Sequence, residues 1–63
     1  MNTDEQIEKI TFEENGFEIV LVNTDGLWYG LLTHKATGLK YETAGYHDRD
    51  ICKTVASILT ELE

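Results

Sequence analysis

A chain of 63 residues with twelve acids against five bases, a net charge of −7 and one cysteine excludes several classes at once. At this size folding buries only about 60% of the unfolded surface, so a single small domain that gains from assembly is favoured over a multidomain enzyme. The acid excess argues against a protein whose main task is gripping phosphates, because nucleic-acid affinity comes largely from Lys and Arg.

Cys52 has no second cysteine to pair with, which points to a reducing cytoplasm. No apolar run approaches the ~20 residues of a membrane span. The opening "MNTDEQIEK" is acidic and polar, unlike a signal peptide. With no proline, repeat or low-complexity tract, residues 1–63 read as one domain.

In chain order, "TDEQIEKI" comes first. Thr3 and Gln6 have the spacing of a capping box, and the segment either makes a helical turn or extends the first strand. "TFEENGFEIVLV" then carries Asn15-Gly16 between alternating apolar runs, the strongest short-range hairpin signal. A two-residue loop pairs Glu14 with Phe17, Phe12 with Ile19 and Ile10 with Leu21. "NTDG", Asn23 to Gly26, fits a type I turn followed by a left-handed glycine. That loop pairs Asn23 with Leu27, Leu21 with Tyr29 and Ile19 with Leu31. "KATG", Lys35 to Gly38, closes in the same way and sets Thr33 opposite Tyr41.

The result is a meander of strands over about 9–14, 17–23, 27–34 and 39–43. In the tail "HDRDICKTVASILTELE" the period changes: Ile51, Val55, Ile58, Leu59 and Leu62 recur at helical spacing. Asp48 caps a helix over about 49–62, and Asp50 sits favourably in its first turn. The fold class is α+β, a four-stranded antiparallel meander followed by one C-terminal helix packed on one face.

Alternation then sorts the side chains. Face A, which receives the helix, holds Ile10, Phe12, Phe17, Ile19, Leu21, Leu27, Tyr29, Leu31, Leu39 and Tyr41. Face B holds Val20, Val22, Trp28 and Leu32, with Gly30 among them and Lys9, Glu13, Glu18, His34, Lys40 and Glu42 around them. A small apolar centre rimmed by charges resembles an interface more than a free surface. A middle loop of two or four residues would exchange the faces of the last two strands relative to the second.

The chemistry-bearing residues find plainer employment. His47, Asp48 and Asp50 in "YHDRD" could ligate a metal, yet their place before a helix suits a cap and a dipole partner, and no second cluster has zinc-like spacing. Cys52 lies in the first helical turn without a histidine at a fixed spacing, and reads as a partly buried helix residue. His34 falls on the rim of face B. Glu13 and Glu18 face each other across the hairpin as a repulsive pair. With Glu14 and Asp25 they form an acidic docking surface. "GLWYG" is a strand rather than a phosphate loop. No catalytic residue, metal or cofactor is assigned.

The order strand-strand-strand-strand-helix resembles the single-strand-binding positive-cofactor fold, which implies a homodimer. Size, acidity and the lack of a catalytic constellation resemble small phage-encoded inhibitors, including anti-CRISPR proteins, which implies a basic nucleic-acid-handling protein as target. The expected function is therefore a non-enzymatic cytoplasmic interaction module. Its contact surface is Val20, Val22, Trp28, Leu32 and His34, and its partners are a second copy or a basic protein surface. The alternatives are a dimeric DNA-binding or DNA-nicking protein of the positive-cofactor shape and a structural subunit of a larger complex.

Overall fold

The computed structural model describes residues 8–62; the candidate capping box at Thr3 and Gln6 lies outside them. Four strands, β1 (Lys9–Glu14), β2 (Phe17–Thr24), β3 (Leu27–His34) and β4 (Lys40–Glu42), form one antiparallel sheet in the order β1-β2-β3-β4. The helix α1 (Arg49–Leu62) packs across β2 and β3. Strand β4 is shorter at both ends than the expected 39–43, and β2 runs one residue further.

The first hairpin has the expected register, Glu14 on Phe17, Phe12 on Ile19 and Ile10 on Leu21. Asn15 and Gly16 both take positive φ, 53° and 80°, as a type I′ turn requires.

The second hairpin differs. Asp25 and Gly26 are themselves the two left-handed residues, at φ 56° and 82°, so the loop holds two residues and Thr24 pairs with Leu27. Every β3 partner therefore slips by one: Leu21 lies opposite Gly30, Ile19 opposite Leu32 and Asn23 opposite Trp28. The third loop slips back. His34 donates its N–H to the carbonyl of Leu39 at 2.8 Å, leaving four loop residues, and Thr33 meets Lys40 rather than Tyr41. The two slips cancel for β4, so Tyr41 stays on face A and Lys40 and Glu42 on face B. Only β3 is inverted.

This inversion makes the core. Phe17, Ile19, Leu21, Trp28, Leu32, Cys52 and Ala56 are buried together, with Ile10, Phe12, Tyr41, Tyr46 and Leu59 packed around them. Trp28 brings a larger apolar surface to face A than any alternative in β3. The eight-residue pattern of β3 permits either facing, and burial of the indole favours this one.

Helix α1 begins as expected, with Asp48 Oδ1 accepting the N–H of Asp50 at 2.8 Å and Asp50 in the first turn. Its buried line, however, is Cys52, Ala56 and Thr60. These are small side chains one turn apart, so the helix seats close to the sheet. Ile51, Ile58 and Leu62, expected in the core, are 51%, 50% and 74% exposed. The helix is pinned at its far end by polar contacts. Asn15 Nδ2 donates to Thr60 Oγ1 at 2.9 Å, and Ser57 Oγ donates to Glu14 Oε1 at 2.7 Å.

Beyond β4 the chain returns to β3 through a bulge. Leu31 pairs with Glu42 and Trp28 with Tyr46, so Tyr29 and Gly30 face three residues, Thr43 to Gly45. The extra residue leaves the N–H of Gly30 without its ladder carbonyl, and Thr43 Oγ1 accepts it at 2.9 Å.

Candidate interaction surface

Face B is the side of the sheet that α1 leaves uncovered. Its side chains follow from register alone, since cross-strand partners share a face. One row runs Glu13, Glu18, Thr33, Lys40; the next Thr11, Val20, Leu31, Glu42; the next Lys9, Val22, Tyr29; the last Thr24, Leu27. Val20, Val22, Leu27, Tyr29 and Leu31 thus form a contiguous apolar centre on β2 and β3, bounded by Lys9 and Glu13 on one edge and Lys40 and Glu42 on the other. Leu31 is 41% exposed, and the other four are half-buried by one another. The Tyr29 ring lies beside Gly45, close enough that a Cβ there would meet it at 3.0 Å. A hollow of about 430 Å³ opens between β3 and β4, lined mainly by Val20, Leu31, Thr33, Lys40 and Glu42.

Of the contact residues expected from sequence, Val20 and Val22 are on this face. Trp28, Leu32 and His34 are not. Trp28 and Leu32 are 7% and 1% exposed in the core. His34 stacks edge-on against Phe17, ring centroids 4.8 Å apart, and shares a 2.9 Å hydrogen bond between Nδ1 and Thr37 Oγ1. Leu27, Tyr29 and Leu31 replace them, residues that the alternation had placed with the helix. The signal that could have found them was the Asp25-Gly26 dipeptide, itself a strong two-residue turn sequence.

The acidic residues fall in different settings. Glu13 and Glu18 oppose each other across the first hairpin, and Lys35 Nζ sits 3.0 Å from Glu13 Oε1. One cation against two carboxylates leaves that corner of face B negative. Glu14 points to the helix side, where it accepts from Ser57. Asp25 is exposed at the opposite end of the sheet, in the β2–β3 turn. The four do not gather into one surface: Glu13 and Glu18 are together, and Glu14 and Asp25 are apart from them.

A second apolar surface lies on the helix. Ile51, Val55, Ile58 and Leu62 succeed one another at intervals of four, three and four residues, the seam spacing of paired helices. Among the described residues no three His, Cys, Asp or Glu side chains gather to hold a metal ion. Cys52 is fully buried, 3.8 Å from Thr43 Oγ1. Among the described residues no helix is long and apolar enough to cross a membrane. Comparison of the chain with family models, curated proteins and solved structures gave no match.

Proposed function

We propose that this chain is a small acidic interaction module of the cytoplasm, non-enzymatic and homodimeric. It works by occupying the basic surface of a nucleic-acid-handling protein, as phage-encoded inhibitors of the anti-CRISPR kind do. The observation that carries this reading is the uncovered apolar centre of face B in a chain of net charge −7. Apolar area left in water costs about 25 cal/mol per Å² relative to burial, and a free sheet face of this kind marks a contact surface. The acid excess adds attraction and faster encounter with a basic partner.

Fluorescence polarisation of a labelled single-stranded oligonucleotide tests the reading in two arms. Alone at low salt, the chain should leave the oligonucleotide unbound. Titrated into complexes of the same oligonucleotide with basic host nucleases and strand-binding proteins, it should displace the strand from its target. Direct binding that falls steeply with salt would instead establish the DNA-binding alternative. Silence in both arms would leave a structural subunit as the better account.

A further inference from the structure

We infer that face B is covered by face B of a second copy, related by a two-fold axis that runs parallel to the strands between β2 and β3. The inference rests on reading face B as the contact surface, and it names the occupant and the register.

Such an axis lays β1 of one copy over β4 of the other and β2 over β3, while keeping each row on its own row. Val20 then meets Leu31 of the second copy, Val22 meets Tyr29 and Thr24 meets Leu27. Each apolar side chain of β2 finds an apolar partner on β3. The edges match in charge as well. Glu13 falls over Lys40, and Lys9 lies one row from Glu42. The corner that Lys35 leaves negative receives the Lys40 ammonium, which makes no ion pair among the described residues. The hollow between β3 and β4 receives the first hairpin of the second copy.

The competing two-fold, perpendicular to the strands, matches the face less well because it reverses the rows. Centred on the row of Val20, it sets Glu18 over Val22, Thr33 over Tyr29 and Glu42 onto Glu42 of the other copy. Centred between the rows of Val20 and Val22, it stacks Val20 on Val22 and Leu31 on Tyr29 but leaves Glu13 and Lys40 facing no opposite charge on the strands. Like charges disfavour the first setting, and the second forgoes the charge pairing. Either axis leaves the strands of the two sheets aligned, within the about 30° usual for stacked sheets, so the matching of charges decides between them.

Light scattering over a wide concentration range, with circular dichroism to confirm the fold, tests this on the full chain. Wild type should show the mass of two chains, and Leu31→Lys the mass of one. Lys40→Glu and Glu13→Lys should each raise the dimer dissociation constant about tenfold, and the double variant should recover to within about threefold of wild type. If Leu31→Lys gives monomers while the charge variants, singly and together, leave the dimer unchanged, face B stands as the contact and this pairing falls. If wild type is monomeric throughout, the pairing falls and face B is left to a partner of another kind; if Ile58→Lys dissociates the dimer and Leu31→Lys does not, both the pairing and the reading of face B fall.

Discussion

Thr43 Oγ1 stands 2.9 Å from the backbone nitrogen of Gly30 and accepts its hydrogen bond, taking the place of a strand carbonyl where the sheet gains an extra residue. The same hydroxyl donates to the carbonyl of Ala44 at 2.8 Å, so both of its roles are used in a buried position. A Cβ on Gly30 would meet Thr43 Cγ2 at 3.0 Å and Leu21 Cδ2 at 3.4 Å. The absence of a side chain at Gly30 is what lets Thr43 sit against the sheet and close the bulge.

Thr43→Val keeps the shape and removes the acceptor. Stranding the buried N–H of Gly30 should lower stability by about 1–3 kcal/mol, whereas Thr43→Ser, which retains the oxygen, should lose less. Gly30→Ala should cost about 1–3 kcal/mol through crowding. Urea midpoints check all three, and a Thr43→Val midpoint equal to wild type would show that the hydroxyl is dispensable.

Trp28 belongs to the core of the chain, so its substitution should act on folding before it acts on any assembly. Trp28→Ala should cost about 3–5 kcal/mol. A domain of this size has roughly 0.05–0.15 kcal/mol of stability per residue, so the variant should lose its helical circular dichroism near room temperature. Its emission in the wild-type chain should be blue-shifted at every concentration, because the indole is buried with or without a second copy. A variant that stayed fully folded and merely monomeric would return Trp28 to the contact surface.

The two sides of the helix should respond in opposite ways to mutation. Ala56 is fully buried against the sheet, and Ala56→Leu should destabilise by about 1–3 kcal/mol through overpacking. Ile58 is half exposed, and Ile58→Gln should change stability by no more than about 0.5 kcal/mol. Thermal unfolding of both variants separates this seating from the one that the apolar stripe alone suggests; a large loss for Ile58→Gln with a silent Ala56→Leu would reverse it.

The β2–β3 turn selects the facing of β3, and its demand falls on Asp25. A β-branched residue is strained at positive φ, so Asp25→Val should cost about 1–2 kcal/mol, while Asp25→Asn or Asp25→Gly should be close to neutral. Chemical unfolding measures the difference. Equal midpoints for Asp25→Val and Asp25→Gly would mean that the turn has relaxed to another form.

Turn letters and periodicity by themselves determined the element order, the first hairpin's register and the helix with its Asp48 cap, because each depends on neighbours close in sequence. The acid excess and an apolar second face of the sheet were legible in the same way. Which residues make up that face was not. "LWYGLLTH" is apolar on both sides, so its own pattern is indifferent to a one-residue slip, and the two-residue turn at Asp25-Gly26 together with contact against β2 and α1 decides that Trp28 and Leu32 go in while Tyr29 and Leu31 stay out. The helix shows the same limit from the other direction. Its largest apolar residues form the more regular stripe, yet the small line of Cys52, Ala56 and Thr60 lies against the sheet, where close approach, the bulge at Thr43 and the polar tether from Asn15 to Thr60 outweigh the burial of Ile51, Ile58 and Leu62. Periodicity measures how apolar a face is, and tertiary structure settles which apolar face fits.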